Sequence, residues 1–135
     1  MPPRKRAIEE IHSLLEPYIS PKGHEHLHEG IELFNAGKYW HAHEAWEHTW
    51  LDLPEGPEGD GEIVLRGLIQ LAAALHLQSL GRLDGASSNL RKAREKLALA
   101  PPRYIGINFA ALRKFTDGWN SDEAPQPPPA IMVLE

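Results

Sequence analysis

The side chains best suited to chemistry are concentrated between residues 40 and 51, which read WHAHEAWEHTWL. Three tryptophans, three histidines and two glutamates share this short stretch. Imidazole and carboxylate groups transfer protons and also bind divalent metals. His43 and Glu47 are four residues apart, so on a helix they lie on successive turns and can pair directly. We therefore take this stretch as the candidate site.

A helical arrangement of this stretch, at about 100° per residue, separates its residues into two groups. One arc holds the three tryptophans, Leu51, His43, Glu44 and Glu47, whereas His41 and His48 fall on the flank towards solvent. We expect the arc to face inward. Because burying an unpaired charge costs several kcal/mol, an inward arc requires polar partners.

The following apolar helix offers such partners. Arg66 and Gln70 lie one turn apart and therefore share a face. We expect Glu44 or Glu47 to pair with Arg66, Gln70 to bridge to His43, and His76 to lie on a different face. The predicted polar cluster consists of Trp40, His43, Glu44, Trp46, Glu47, Trp50, Arg66 and Gln70.

Two interpretations of this cluster remain open. In the first, His43, Glu44 and Glu47, with His41 or His48, bind a divalent metal, as carboxylate and imidazole ligands do in helical bundles. The Glu-x-x-His spacing of di-iron bundles and the two-histidine zinc motif are both missing from the chain. In the second, which we favour, the cluster is a satisfied buried network around a tryptophan core. Proton transfer by His43 and a glutamate lacks a nucleophile pattern beside it.

Composition narrows the possible classes of protein. The 135 residues suit one domain, and the lack of cysteine removes disulfides, thiolate metal sites and cysteine nucleophiles. The net charge is −5, with ten acidic residues and one basic residue between positions 24 and 62. A net acidic chain without aromatic residues among its bases is a poor nucleic-acid binder. Gln70 and His76 interrupt the longest apolar run, and the N-terminus lacks a signal-peptide core, so we expect a soluble cytoplasmic protein.

Helical periodicity dominates the chain, and it predicts an all-α bundle of five to six helices over residues 1–120. The Pro-rich segment 121–135 is predicted to be a tail. Gly37 and Gly81 each precede a new helix at an offset of 44 residues, a punctuation typical of tetratricopeptide hairpins. The predicted helices are 4–16, one starting at Ser20-Pro21 and ending near Gly37, 38–51, 62–80, one capped by Asp84 with a stripe of Ala86, Leu90, Ala93 and Leu97, and one capped by Asn108 and reaching Trp119.

Three ordered blocks of the sequence resemble a family. FNAGKYWHAHEAWE from residue 34, GLIQLAAALH with GRLDGA from residues 67 and 81, and YIGIN from residue 104 are similar to blocks of the bacterial and archaeal family called domain of unknown function 309. The resemblance covers about residues 24–116, although the family often has Asp where Asn108 stands. It implies a small all-helical bundle and no established activity. The family's motif residues carried onto this chain are Phe34, Asn35, Gly37, His43, Glu44, Trp46, Glu47, Trp50, Gly67, Gln70, Gly81 and Ala86.

We therefore expect a non-enzymatic helical domain that binds a partner protein or a small ligand and needs no cofactor. The alternative is a metal-binding protein or a metal-dependent hydrolase that uses His43, Glu44 and Glu47. Whether the protein is an enzyme stays open on the sequence alone. A homodimer is the expected assembly for a small apolar bundle.

Overall fold

The computed structural model describes residues 3–11, 14–54 and 60–119 of the chain. Within these ranges it contains five α-helices and one short hairpin, which confirms the expected all-helical bundle. The predicted tail 121–135 lies outside the described residues. The elements are α1 (Pro21–Asn35), α2 (Tyr39–Leu51), α3 (Glu62–Ser79), α4 (Leu83–Leu97), β1 (Arg103–Tyr104), β2 (Ile107–Asn108) and α5 (Phe109–Gly118).

Local sequence signals place most helix ends. The Ser20 hydroxyl accepts a hydrogen bond from the Gly23 N–H at 3.0 Å, and the Asn108 side chain caps α5 in the same way. Gly37 and Gly81 have φ of +77° and +74°, the left-handed conformation that ends helices and favours glycine. The α1–α2 and α3–α4 hairpins therefore close alike, as the 44-residue offset predicts. The prediction that Asp84 is the N-cap of α4 is wrong, because α4 begins at Leu83 and Asp84 lies inside its first turn.

Helix α3 occupies the middle of the bundle and packs against α2 on one side and α4 on the other. The α1–α2 contact is especially close at Gly30. An added Cβ there would lie 2.3 Å from Nε1 of the fully buried Trp46, so only glycine fits. On α4 the predicted stripe of Ala86, Leu90, Ala93 and Leu97 is buried. None of the helices in the described ranges is long and apolar enough to span a membrane.

The first predicted helix, 4–16, is wrong. The described part of this segment is irregular apart from one 3₁₀ turn at Ile8–Glu10. Outside this turn, two of its backbone groups bind distant side chains: the Arg6 N–H donates to Glu62, and the Leu15 carbonyl accepts from the Tyr104 hydroxyl at 2.8 Å. Tertiary hydrogen bonds thus replace the helical ones that the apolar spacing predicts.

The predicted loop 103–107 is a two-stranded antiparallel hairpin that pairs Arg103 with Asn108 and Tyr104 with Ile107. Its turn residues Ile105 and Gly106 both have positive φ. The Ile105 N–H donates to the Glu16 carboxylate at 2.7 Å. The hairpin is thereby tied to the N-terminal segment and places the Asn108 cap at the start of α5.

Candidate functional site: the cleft between α2 and α3

Helix α2 turns a different face to the core from the one that the helical wheel predicts. The buried residues are Ala42, Ala45, Trp46 and Thr49. Of the predicted inward arc, only Trp46 is fully buried. Trp40 is 45% exposed, and the side chains of Glu44 and Glu47 are 53% and 49% exposed. The expectation of a His/Glu/Trp cluster in the core is therefore wrong.

Small side chains explain this orientation. Ala42, Ala45 and Thr49 let α2 approach its neighbours closely, and the Thr49 hydroxyl donates to the Gly23 carbonyl of α1 at 3.0 Å. Trp46 fills the remaining space and donates its indole N–H to the Leu27 carbonyl at 3.1 Å. The large polar residues of the arc are consequently left along the surface between α2 and α3.

The two glutamates of the arc form separate pairs with histidines. Nε2 of His43 lies 2.9 Å from Oε1 of Glu47, as the spacing predicts. Nδ1 of His41 lies 3.5 Å from Oε1 of Glu44. Throughout the described residues, no three His, Asp or Glu side chains are grouped so that they could hold a metal ion.

Arg66 pairs with neither Glu44 nor Glu47. Its guanidinium binds Glu62 one turn earlier on α3, and it also donates to the Arg6 carbonyl at 2.6 Å. The predicted inter-helix ion pair is wrong because a carboxylate on the same helix is nearer and fully buried. Arg66 nevertheless reaches the space between α2 and α3, as its spacing from Gln70 suggests.

Glu62 is the site residue that sequence reasoning missed. Its carboxylate is 0% exposed, and it accepts hydrogen bonds from two nitrogens of Arg66, from Trp50 Nε1 at 2.9 Å and from the Arg6 N–H at 3.0 Å. Such a buried charge is tolerated only when paired and fully hydrogen-bonded. Its i,i+4 spacing from Arg66 was the available signal. We call this group, Arg6, Trp50, Glu62 and Arg66, the Glu62 cluster.

A second cation approaches the same level of α3 from α4. Burial lowers the pKa of Lys96, and the positive charge of Arg66 lowers it further, whereas Glu62 opposes this effect. Lys96 packs at Gly67, where an added Cβ would lie 3.0 Å from the Lys96 Cβ. The buried carboxylate therefore lies within the field of two cations.

A cleft of about 310 Å³ opens beside the Glu62 cluster. It is lined by Lys5, Glu47, Trp50, Leu51, Arg66, Ile69 and Gln70. Four of these are predicted site residues, so the structure brings half of the predicted cluster to one place on the surface. Trp40, His43, Glu44 and Trp46 are not among the lining residues.

Comparison with known proteins gives a family match for the part of the chain that contains α2 and most of the cleft. Residues 27–89 match the family model described as domain of unknown function (DUF309). We refer to this matched stretch, residues 27–89, as the DUF309 domain. The match confirms the resemblance, and it ends before the third block at residue 104. No curated protein matches the chain significantly.

The DUF309 domain supplies every lining residue of the cleft except Lys5, which comes from the preceding segment. Lys5 Nζ lies 5.9 Å from the centroid of the Trp50 ring, within the range of a cation–π contact. The Trp50 indole N–H is held by Glu62, so the orientation of the ring is fixed, and one face of the ring lies under Lys5. The cleft thus joins a rigid aromatic wall to a flexible cationic side chain.

The buried unsatisfied atoms nearest to the candidate site belong to Gln70 and His43. Gln70 Oε1 and His43 Nδ1 have no hydrogen-bond partner among the described residues. Because the Nε2 of His43 faces the Glu47 carboxylate, Nε2 carries the hydrogen in the neutral ring and Nδ1 is an acceptor. Gln70 and His43 form no hydrogen bond to each other, so the predicted bridge is wrong.

The Trp40 ring, at the N-terminal end of α2, contacts the rings of two histidines. Its ring stacks on His43 with centroids 4.6 Å apart, and it lies 5.2 Å from the ring of His76 on α3. His76 therefore faces α2, contrary to the expectation from its angle to Gln70. This aromatic contact continues the boundary between α2 and α3 beyond the cleft.

Proposed function

We propose that the DUF309 domain of this chain is a binding module, and that the cleft between α2 and α3 holds a small ligand or a side chain of a partner protein. The observation that carries the proposal is a cleft whose lining joins the fixed ring of Trp50 to Gln70, a residue with a buried and unsatisfied amide oxygen. Ligand sites in proteins combine apolar walls with a few placed polar groups.

The energetics of Gln70 support a ligand at this place. A buried acceptor without a partner costs about 1–3 kcal/mol. A donor group of a ligand would remove this cost on binding, so the contact would contribute more than it does at a solvated surface. Ile69 and Leu51 add apolar surface to the lining of the cleft.

The Glu62 cluster supports the proposal by preorganising the wall of the cleft. Trp50 donates to a carboxylate that Arg66 also holds, and both donors line the cleft. A side chain fixed before binding loses little conformational freedom when the ligand arrives. The binding energy of the indole face is therefore available to the ligand.

A fragment titration followed by NMR tests the proposal. The chain has four tryptophans, and their indole N–H signals report separately on the cleft and on the core. We expect cleft-binding fragments from a mixed neutral, cationic and anionic set to shift the Trp50 signal and to leave the buried Trp46 signal unchanged. A Gln70→Leu variant should bind the same fragments about tenfold more weakly, the equivalent of one hydrogen bond of about 1.4 kcal/mol.

Gln78→Leu is the matched control, because it makes the same change on α3 outside the lining residues. It should bind as the unchanged protein does. The proposal fails when fragments of all three charge classes leave the Trp50 signal unmoved, or when Gln70→Leu and Gln78→Leu bind equally well.

A further inference from the structure

We infer that the ligand of the cleft is an organic cation carrying a primary ammonium or guanidinium group, and that Lys5 occupies its position within the free protein. This inference rests on the proposed function, since it names the chemistry of a ligand for the same cleft. It follows from the position of Lys5, from the acceptors around it and from the charge of the neighbouring sequence.

The position of Lys5 shows where a cation can sit. Its ammonium group lies over the Trp50 ring at 5.9 Å from the centroid. Tryptophan has the most favourable aromatic face for a cation. The indole is fixed through Nε1 by Glu62, so the face stays in place when the lysine leaves.

Apart from Lys5 and Arg66, the polar side chains that line the cleft are those of Glu47 and Gln70. Glu47 contributes a half-exposed carboxylate, and Gln70 contributes the unsatisfied amide oxygen. Arg66 also lines the cleft, but two of its nitrogens are bound to the buried Glu62, which balances its charge. An anionic ligand in the position of Lys5 would meet Glu47 and the Gln70 oxygen, whereas a cation with N–H donors complements both.

Lys5 can leave the cleft without unfolding the segment that carries it. Its neighbour Arg6 is anchored on both sides: the Arg6 N–H donates to Glu62, and the Arg6 carbonyl accepts from Arg66. The Lys5 side chain itself is exposed. A ligand cation therefore competes with a single side chain, whose displacement breaks no backbone hydrogen bond shown here.

The charge distribution favours the approach of a cation. Residues 24–62, which include most of α1 and all of α2, contain ten acidic residues and only one basic residue. Such a region raises the local concentration of positively charged ligands and makes their binding dependent on salt. Glu47 lies within this region and at the cleft.

The test compares three probes of equal chain length with the whole protein: n-butylammonium, n-butanol and butanoate. Binding is followed through the Trp50 indole N–H signal. We expect butylammonium to bind most tightly and to weaken as salt is added. Lys5→Met keeps an unbranched side chain without the charge, and it should tighten butylammonium binding about two- to fivefold.

Two further variants locate the effect. Glu47→Gln should weaken butylammonium binding by a similar factor and leave butanol binding unchanged. Lys22→Met is the matched control for Lys5→Met, because Lys22 lies on α1 and does not line this cleft. It should leave all three probes unaffected apart from small salt-dependent changes.

The outcomes separate this inference from the proposal beneath it. Tighter binding of butanoate or butanol than of butylammonium overturns the cation inference and leaves the binding module standing. Equal butylammonium affinity in Lys5→Met and the unchanged protein also overturns it. Failure of every probe to move the Trp50 signal in both proteins overturns it as well, and the fragment titration then decides the binding module independently.

A last arm distinguishes the source of the cation. A capped Gly-Lys-Gly tripeptide presents the same ammonium group on a protein side chain. Tighter binding of this peptide than of butylammonium assigns the cleft to a lysine of a partner protein. The reverse order assigns it to a free amine.

Discussion

Replacing Glu62 by glutamine should strongly destabilise the protein, because this carboxylate neutralises Arg66 and holds two other donors. Glu62 is 0% exposed, and the Arg66 side chain is 16% exposed. Glutamine keeps the size of the side chain and one acceptor oxygen. It removes the negative charge and places an N–H₂ group against either Trp50 Nε1 or the Arg6 N–H, each of which is itself a donor.

The magnitude follows from the burial of the pair. Removing one partner of a buried ion pair costs about 3–5 kcal/mol. Arg66 also reaches the cleft, where water can hydrate it, so we take the lower end, about 3 kcal/mol. For a domain of this length, a loss of that size lowers the Tm by about 10 °C.

Thermal and urea unfolding of four proteins measures this effect: the unchanged chain, Glu62→Gln, Arg66→Met and the double variant. Because each single change leaves the other member of the ion pair uncompensated, the double variant should lose less than the sum of the two by about 2 kcal/mol. Glu95→Gln on α4, an exposed position, is the matched control and should change stability by less than about 0.5 kcal/mol.

The reasoning about the Glu62 cluster is refuted when Glu62→Gln unfolds within about 1 kcal/mol of the unchanged protein. Strict additivity in the double variant also refutes it. In that case the carboxylate and the guanidinium act independently, and Trp50 is held in place by packing alone.

Two further predictions concern packing and pH. Gly30→Ala should destabilise the protein by about 2 kcal/mol or more, because the added Cβ would overlap the buried Trp46 ring. The control Gly85→Ala places its Cβ against the flexible tip of one leucine side chain and should be neutral or stabilising. Equal Tm changes in the two variants would contradict this prediction. Burial raises the pKa of Tyr104 above its usual value of 10, so above pH 10 only the unfolded chain releases this proton, and stability falls by up to about 1.4 kcal/mol per pH unit. Tyr104→Phe should therefore lower the free energy of unfolding by about 1 kcal/mol at pH 8, through the lost hydrogen bond to the Leu15 carbonyl, and by progressively less towards pH 11. A difference in the free energy of unfolding that stays constant between pH 8 and pH 11, measured with urea, would contradict this prediction.

Interactions between residues close in the chain were predictable from the sequence. The Ser20 and Asn108 caps and the glycine stops at positions 37 and 81 depend on neighbours three to five residues away. The buried stripe of α4 and the His43–Glu47 pair also depend on helical spacing alone. The backbone geometry of a single helix fixes these contacts, so they are the same wherever the helix packs.

The face that α2 presents to the core was decided by tertiary packing. The helical projection of α2 groups Trp40, Glu44 and Glu47 on one arc, but it does not show which arc another helix can approach closely. Ala42 and Ala45 permit a shorter distance between helices, and the contact buries them in preference to the larger side chains. The candidate site consequently became a surface cleft.

The sequence alone determined the five helices and the residue types from which the cleft is built. Tertiary structure alone decided the Glu62 cluster, whose partners Trp50 and Arg6 are 12 and 56 residues away. It also decided that the N-terminal segment is not a helix and that Lys5 lies over Trp50. The reason is physical: hydrogen bonds to a buried charge outweigh the weak helix preference of a short segment, and the spacing of residues in the chain carries no record of such distant partners.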